Sequence, residues 1–417
     1  MIDINLIKTV LIENSDRVIS EFNTKWKECR LEEIATVQTG PFGSQLHMSD
    51  YKISGTPIIT VEHLGENRIL HNNLPLVSDE DKKRLIKYTL KEGDIVFSRV
   101  GSVDRCSYVS EEEDGWMFSG RLLRVRVNKN KVNPKYLSYY FGQESFKETI
   151  RRIAVGATMP SINTTILSEI EVTIPPTYEQ TAIAYILSSL DDKIDLLHHQ
   201  NNTLEQLAET LFRQWFVEGA EESWKEICLS EIAIHSKESI NPSKNPSKLY
   251  KHFSLPAFDQ EKEPIIEIGI EILSNKYKVV SDSILVSKLN PRTPRIWMLF
   301  GDINEDECIC STEFQVIKPK SNDWFGFVYC FLKSNQVTQE LGGASSGTSG
   351  SHQRVNPQDI FNLSFSKPPL YLVQEFSKIT NTYWTKIKNN QTQIRTLTQT
   401  RDTLLPKLMN GEVRVEI

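Results

Sequence analysis

The chain has 417 residues, of which 39% are hydrophobic and 24% are charged, so it is long enough for two or three domains and is not a disordered chain. Its net charge of −6 excludes a protein that binds nucleic acid through overall positive charge, so any such binding has to use local basic surface. No apolar run reaches the length of a membrane span and the N-terminus lacks a secretory signal pattern, which predicts a cytoplasmic protein.

The cysteine pattern gives little indication of metal binding. The six cysteines include no C-x-x-C pair, and only Cys308 and Cys310 lie close together in the sequence. Reduced thiols of a cytosolic protein explain this pattern better than a metal site does.

The first part of the chain predicts a mixed α+β domain. Residues 1–25 are expected to form a helical preamble with one apolar side, and residues 26–175 to form the domain itself. Residues 136–150 are apolar on one face, which is typical of a helix. The predicted strands are short, rich in β-branched residues and bounded by turn residues; they cover residues 56–61, 94–97, 122–127 and 171–174.

A long helix is predicted within the segment 176–222, immediately after Pro175 and Pro176. Apolar residues recur from Ile183 to Trp215 in alternating steps of four and three, the period of a helix that pairs with another helix. Asn201 is the one polar member of this series. A buried asparagine can specify the register of a helix pair at some cost in stability.

The same pattern returns about 190 residues later, which indicates a tandem repeat. The second copy predicts another α+β domain over residues 224–366, with a helix at 325–341, and a second long helix within 367–417. Three polar residues, Thr380, Asn390 and Arg401, interrupt its apolar series, and Ile394 falls at the position of Asn201.

The second long helix is expected to pair with the first. Acidic residues predominate in the first helix and basic residues in the second, which favours pairing between the two over self-pairing. Pro406 should end or kink the second helix, because proline has no amide hydrogen to donate.

No catalytic motif is present in the sequence. It contains no phosphate-binding G-x-x-x-x-G-K-[ST] loop, no H-E-x-x-H and no G-x-S-x-G. Asp94 is a weak candidate for a metal ligand of a nuclease site, because no acidic and basic partners follow it at a tight spacing. The pattern favours a binding protein that has no catalytic residue, metal or cofactor of its own.

Basic and polar residues in the expected loops are the candidates for contacts with nucleic acid. Arginine can bind guanine through two hydrogen bonds, while lysine more often binds phosphate. The candidates are Ser44, Gln45, His47, Arg99, Arg105, Arg121 and Arg152 in the first domain, and His252, Lys288, Arg292, Arg295 and Arg354 in the second.

Several motifs together resemble a known family. They are the W-K-x-x-x-L-x-E-I-A opening at Trp26, which returns at Trp224, and the segments 39–44, 93–99, 174–180 and 404–412. This combination resembles the specificity subunit of type I restriction–modification enzymes over nearly the whole chain beyond residue 25. One departure is the segment 371–375, Tyr-Leu-Val-Gln-Glu, where the family usually has Pro-Pro-x-x-Glu-Gln.

The resemblance implies two target recognition domains, each reading one half of a split, asymmetric DNA sequence. The two long helices would form an antiparallel coiled coil that acts as a spacer. The subunit would be non-catalytic and would assemble with two methyltransferase subunits, which hold S-adenosylmethionine, and with restriction subunits that contain the motor and nuclease.

An aromatic set near the helix ends is expected to bind the partner subunits, since aromatic residues are enriched in interfaces. The set consists of Phe212, Trp215, Phe216 and Trp384; the alternative is that these residues belong to the core. A different class of function also remains open, namely a coiled-coil scaffold whose two mixed domains bind protein or peptide. A self-contained methyltransferase or nuclease is the catalytic alternative.

Overall fold

The structure is a computed structural model that describes residues 11–13, 26–41, 43, 45–260, 262–344 and 353–415. The chain divides into two compact units. Unit 1 comprises Met1–Ile194 and Thr396–Ile417, and unit 2 comprises Asp195–Arg395. The predicted domain boundaries differ from these two units, because the prediction separates the long helices from the mixed domains. The predicted boundaries stay a prediction.

The described strands are short and are numbered in chain order. They are β1 (Leu11–Glu13), β2 (Lys27–Arg30), β3 (Ala35–Thr39), β4 (Thr56–Ile59), β5 (Leu76–Val77), β6 (Asp94–Ser98), β7 (Cys106–Tyr108), β8 (Met117–Phe118), β9 (Leu122–Val127), β10 (Glu171–Ile174), β11 (Glu226–Cys228), β12 (Ala233–Ser236), β13 (Ser239–Ile240), β14 (Leu249–Phe253), β15 (Ile265–Ile268), β16 (Lys276–Lys278), β17 (Ser283–Ser287), β18 (Ile296–Leu299), β19 (Cys308–Cys310), β20 (Phe314–Pro319), β21 (Ser364–Ser366) and β22 (Val413–Val415).

The described α-helices are numbered in the same way. They are α1 (Leu31–Ile34), α2 (Asp79–Arg84), α3 (Pro134–Gly142), α4 (Glu144–Ile153), α5 (Thr164–Ser168), α6 (Thr177–Phe212), α7 (Leu255–Gln260), α8 (Asp323–Lys333), α9 (Asn335–Ala344), α10 (Pro357–Phe361) and α11 (Leu370–Met409). A π-helical turn, Arg213–Glu218, continues α6. Within the described ranges, no helix has both the length and the apolar character needed to cross a membrane.

Unit 1 is built on a four-stranded antiparallel sheet in the order β3-β9-β6-β7. Every residue of β6 is buried, so this strand lies in the core, and Phe97 packs edge-on against Phe141 of α3 with 5.0 Å between the ring centroids. A second sheet, in the order β5-β4-β8, has its own core around Ile58, Ile59 and Phe118. In this sheet β4 and β8 run parallel.

Unit 2 repeats this plan with different side chains. Its main sheet has the order β12-β20-β17-β18, and all three strand pairs are antiparallel, as in unit 1. Its second sheet is larger, with the order β13-β16-β19-β14-β15, and β14 and β19 run parallel as β4 and β8 do. Trp297 and Phe314 belong to a core cluster of this unit.

Backbone hydrogen bonds confirm the tandem repeat. The amide of Leu31 donates to the carbonyl of Ile170 at 2.9 Å, and the amide of Leu229 donates to Leu363 at 2.9 Å. The antiparallel pairs β2-β10 and β11-β21 follow the same correspondence. The fold is therefore α+β, with two mixed domains in tandem and two long helices.

The two long helices lie side by side and antiparallel within unit 2. Asn390 Nδ2 of α11 donates to Asn201 Oδ1 of α6 at 2.8 Å, and further along, the rings of Phe376 and Phe212 lie 6.3 Å apart. In unit 1, Arg401 Nη1 of α11 donates to Asp191 Oδ1 of α6 at 2.9 Å. Two polar pairs thus lie between the long helices, beside apolar contacts such as that of Phe376 with Phe212.

The structure identifies the partner of Asn201. Asn390 of the second helix bonds to it, because the antiparallel register decides which residues of the two helices face each other. Thr380 and Asn390, predicted to interrupt the apolar series, are fully buried. The Thr380 hydroxyl donates to the carbonyl of Phe376, 3.0 Å away, so the buried hydroxyl has a hydrogen-bond partner within its own helix.

Pro406 does not end the second helix, which continues to Met409. Because this proline lies in the last turn, its missing amide hydrogen costs only one bond, and its carbonyl still accepts from the Asn410 amide at 3.0 Å.

The helices predicted at 136–150 and 325–341 are each divided into two. Gln143 and Ser334 have extended backbone, with ψ of 142° and 151°, and their amides donate to the carbonyls of Tyr140 and Phe331. The break changes the helix direction while both helices keep buried residues, such as Tyr136 and Ile150.

The N-terminal preamble is also different where it is described. Leu11–Glu13 forms a strand that pairs antiparallel with Val413–Val415, so the predicted helix is wrong at these residues. The remainder of the segment up to residue 25 lies outside the described residues. The pairing with β22 could not be read from the local apolar pattern, because the two strands come from opposite ends of the sequence.

Candidate nucleic-acid interface

Predicted arginines of unit 1 meet where three strands of the main sheet end or begin. The Arg99 amide, just after β6, donates to the Arg121 carbonyl, just before β9, at 2.8 Å. Arg99 Nη1 donates to Thr39 Oγ1 at the end of β3, 3.3 Å away. The Ile162 amide donates to the Arg99 carbonyl at 3.0 Å, which attaches the segment before α5 to the same corner.

Arg105 belongs to this corner through its backbone. Its carbonyl accepts from the Ser98 amide at 2.9 Å, so it lies opposite the end of β6. Its side chain donates to the carbonyl of Leu64, which ties part of the guanidinium to the protein. We refer to Arg99, Arg105, Arg121 and Ser161 as the unit 1 corner.

Unit 2 contains the same arrangement of backbone bonds. The Lys288 amide donates to the Glu313 carbonyl at 2.8 Å, and the Val355 amide donates to Lys288 at 2.9 Å. The Ser287 amide donates to the Arg295 carbonyl at 2.9 Å. Isolated bridges join Val100 to Ser161 in unit 1 and Leu289 to Arg354 in unit 2.

Four equivalent positions follow from these bonds. Arg99 corresponds to Lys288, Arg105 to Arg295, Arg121 to Glu313, and Ser161 to Arg354. We refer to the second set as the unit 2 corner. Six of the predicted contact residues therefore occupy matched places in the two units, and the side chains differ at every matched position except Arg105 and Arg295.

Acidic partners hold the arginines of the unit 2 corner. Arg295 donates from Nε and Nη2 to both carboxylate oxygens of Asp259, at 2.6 Å and 2.9 Å. Arg354 Nη2 donates to Glu313 Oε1 at 2.9 Å. These contacts orient the guanidinium groups, while Arg295 Nη1 is shielded from solvent and has no partner among the described residues.

A basic and aromatic group lies beside the unit 2 corner. Lys288 Nζ lies 6.0 Å from the ring centroid of Tyr277, a cation–π distance. The ring of His235 lies 6.4 Å from the same tyrosine. Burial, and then the positive charges of Lys237 and Lys288, lower the pKa of His235 from its ordinary value of 6.5 to about 4. The histidine is therefore neutral near pH 7, and the lysines supply the positive charge.

The remaining predicted contact residues of unit 1 are not brought to the corner by the bonds described. Gln45 Oε1 accepts from the Tyr88 hydroxyl at 3.0 Å, and the amide of exposed His47 donates to Asp50. Arg152 is exposed on α4. Ser44 lies outside the described residues.

The remaining two in unit 2 differ in burial. His252 lies on β14, where its Nδ1 pairs with Glu267 and its Nε2 is shielded without a partner among the described residues. Burial is the main cause that lowers the pKa of His252. Arg292 is exposed in the loop between β17 and β18.

Glu313 and Ser161 were missed by the sequence prediction because only basic residues and a few polar residues were selected. The repeat offset contained the signal, since it places Glu313 opposite Arg121. Asp259 was missed for a different reason: it belongs to α7, and only the tertiary structure brings it to Arg295.

Other charged groups of the sheet have structural partners. Asp94 accepts two hydrogen bonds from Arg126, at 2.8 Å and 2.7 Å, and one from the Lys91 amide at 2.8 Å. Arg124 is buried, and desolvation lowers its pKa. Asp94 is therefore the centre of a buried ion-pair network, and its contacts give no support to a nuclease site.

Few groups resemble a metal site in the described ranges. The ligand atoms of His71, Glu112 and Glu113 lie within 4.8 Å of one another. His71 Nε2 and Glu113 Oε1 are already 2.7 Å apart, and Glu113 Oε2 accepts from Ser110, so internal bonds account for this cluster. Cys308 and Cys310 are free and buried, and burial raises the pKa of Cys310 to about 12, which favours the thiol over a metal-binding thiolate.

The aromatic set predicted to bind partner subunits lies mostly in the core of unit 2. Phe212, Phe216 and Trp384 are buried, and Trp215 is partly buried against the same core cluster. The rings of Phe212 and Phe216 pack against Phe327 at 5.1 Å and 4.9 Å. Phe212, Phe216 and Trp384 therefore do not form an exposed aromatic surface.

Comparison with known proteins shows which proteins this chain is similar to. Residues 23–206 match the family model described as the type I restriction modification DNA specificity domain. Type I restriction enzyme MjaIX specificity subunit of Methanocaldococcus jannaschii is 27% identical over 319 residues, covering 70% of this chain and 71% of the relative. The putative MjaX specificity subunit of the same organism is 26% identical, covering 95% of this chain and 96% of the relative.

Solved structures agree with this class at the level of the fold. The crystal structure of the type I restriction–modification S subunit from M. genitalium matches with a TM-score of 0.58 and 16% identity, covering 93% of this chain and 97% of the other. The chain is therefore similar, over nearly its whole length, to specificity subunits of type I restriction enzymes.

Proposed function

We propose that the chain reads a split, asymmetric DNA sequence, with one corner contacting each half. The observation that carries this proposal is the pair of corners, which share a backbone arrangement and differ in side chains at every matched position except Arg105 and Arg295. The shared backbone arrangement supports the same mode of approach of each corner to the DNA duplex. Different side chains support different base preferences, because bases are distinguished by hydrogen-bonding groups at their edges.

The proposal includes assembly with two methyltransferase subunits and with restriction subunits. It is supported by the relatives, which are named as subunits of type I restriction enzymes. In this assembly the methyltransferase subunits bind S-adenosylmethionine and modify the target, while this chain selects it. The cytoplasmic location expected from the sequence remains a prediction.

The test is methylation mapping of a random DNA library by the chain in complex with its methyltransferase subunit. Two different short blocks of specified bases, separated by unspecified base pairs, are the expected result. A continuous target, a palindromic target or methylation without sequence preference would contradict the proposal.

A protein-binding scaffold and an autonomous enzyme make different predictions. A scaffold would give no salt-dependent shift of duplex DNA by the complex, whereas phosphate contacts make DNA binding weaken steeply with salt. An autonomous methyltransferase or nuclease would modify or cut DNA when the pure chain is incubated with magnesium and S-adenosylmethionine. We expect the salt-dependent shift and no product from the chain alone.

A further inference from the structure

The matched positions Arg121 and Glu313 lie on the same backbone turn. The Leu122 amide donates to the Ser119 carbonyl at 3.0 Å, and the Phe314 amide donates to the Ser311 carbonyl at 2.9 Å. The Arg121 carbonyl accepts from the amide of Arg99, the residue after β6, at 2.8 Å. The Glu313 carbonyl accepts from the amide of Lys288, the residue after β17, also at 2.8 Å. Because these bonds give the two backbones the same course, the side chains of Arg121 and Glu313 leave the sheet at equivalent places.

The two side chains have opposite hydrogen-bonding character. Arg121 is exposed and has no side-chain partner among the described residues, so its guanidinium offers donors only. Glu313 offers acceptors only. Its Oε1 accepts from Arg354, whereas its Oε2 is shielded from solvent and has no partner among the described residues. Because Oε2 is shielded, the oxygen offered to a base amino group is Oε1, whose present donor is the exposed Arg354.

We infer that this position determines base choice in opposite senses in the two units, an inference that rests on the proposed function. Arg121 selects guanine, whose O6 and N7 are both acceptors in the major groove. Glu313 selects a base that presents an amino hydrogen there, which is cytosine or adenine, and rejects guanine at that position. Thymine is also rejected, because its O4 accepts and its methyl group cannot donate.

Arg354 leaves Glu313 free to act in this way. Its side chain is 62% exposed, and an exposed ion pair of this kind is weak. When a base amino group approaches the carboxylate, the arginine can turn to a neighbouring phosphate. Such phosphate contacts position the protein on the duplex without carrying sequence information.

The experiment is methylation mapping with the assembled methyltransferase complex, using variants at both matched positions. Glu313→Gln keeps the shape but adds a donor, so discrimination of cytosine or adenine against guanine and thymine should collapse at one position of the unit 2 block. The wild-type discrimination at that position should lie between about 5-fold and about 150-fold. Arg121→Glu, at an exposed residue, should change one position of the unit 1 block from guanine to cytosine or adenine.

A matched control is Glu340→Gln, which removes a charge from the exposed face of α9, where the carboxylate accepts a hydrogen bond from Gln336 of the same helix. It should leave the whole target unchanged. If the wild-type complex methylates a split target and both position variants keep every base preference, the inference is overturned while the proposed function stands. If the wild-type complex has no split target, the proposed function fails and this inference fails with it. If Glu313→Gln does not fold, Arg121→Glu decides the question.

Discussion

At the residue scale, burial changes the chemistry of side chains that the sequence presents as ordinary polar groups. His235 is one of eight histidines and has no motif around it. In the structure its ring stacks on Phe361 with 5.6 Å between centroids, and its Nε2 is shielded without a partner among the described residues. The neutral form is therefore favoured in the folded state.

This environment predicts a pH dependence of unit 2 stability. In the unfolded chain His235 takes up a proton near pH 6.5, whereas in the folded chain its pKa is about 4. The stabilisation is therefore complete above pH 6.5 and is lost progressively as the pH falls towards 4, because only the unfolded state binds the proton in that range. Urea unfolding of the wild type between pH 7 and pH 4 should show this loss, and His235→Gln should reduce it.

His47→Gln is the control for this titration, since His47 is exposed and belongs to unit 1. It should keep the wild-type pH dependence. His252 has a pKa lowered mainly by burial and contributes in the same direction, so the His235 variant should weaken the dependence without abolishing it. An unchanged pH dependence in His235→Gln would show that another group is responsible.

At the element scale, the long helices combine an apolar contact with specific polar pairs. The Asn201–Asn390 pair is buried, and Asn390 Nδ2 donates across the contact at 2.8 Å. A slipped register would place an asparagine against an apolar residue and leave its amide without a partner. The pair therefore favours one register over its neighbours.

A double-mutant cycle tests this role. Asn390→Val should destabilise unit 2 by about 1–3 kcal/mol, because it leaves Asn201 buried and unpaired. Asn201→Val should have a similar effect. The variant with both changes should recover much of this loss, since neither polar group then remains without a partner.

The measurement for this cycle is the midpoint and slope of urea unfolding. A loss in the double variant equal to the sum of the two single losses would show that the asparagines act independently. A control pair is Thr392→Ala with Gln399→Ala, two polar residues at more solvent-facing places on α11. Their effects should be small and additive, because substitutions at exposed sites usually change stability little.

At the scale of the whole molecule, each unit has its own sheets and core clusters. The cluster around Phe97 and Phe141 lies in unit 1, and the cluster around Phe327 and Trp384 lies in unit 2. Residues 26–175 fall within unit 1. This organisation supports an exchange of one domain without repacking the core of the other.

Exchanging residues 26–175 for the corresponding part of another family member should alter one block of the target and leave the other as it was. The reason is that the unit 2 corner is formed by residues of unit 2 alone. Methylation mapping of the chimeric complex is the measurement, and the parental complex is the control. A change in both blocks would show that the two units do not read independently.

Local patterns in the sequence predicted the first long helix, several strands and the repeat. The alternating steps of three and four between Ile183 and Trp215 predict a helix with one buried side, and α6 confirms it. The β-branched run at 122–127 and the run at 171–174 match β9 and β10 in full. Such features depend on the spacing of residues within one segment, which the sequence states directly.

The tertiary structure alone decided which side chains are available and which are already bound. Trp384 and Phe216 are of residue types that are common in interfaces, but both side chains are buried in the core. Arg295 is paired with Asp259, which lies on α7, 36 residues away in sequence. Asn201 faces Asn390 because of the antiparallel register, and β1 pairs with a strand from the other end of the chain. Burial and partner choice depend on residues that are distant in sequence and close in space, so the identity of each residue could not specify them.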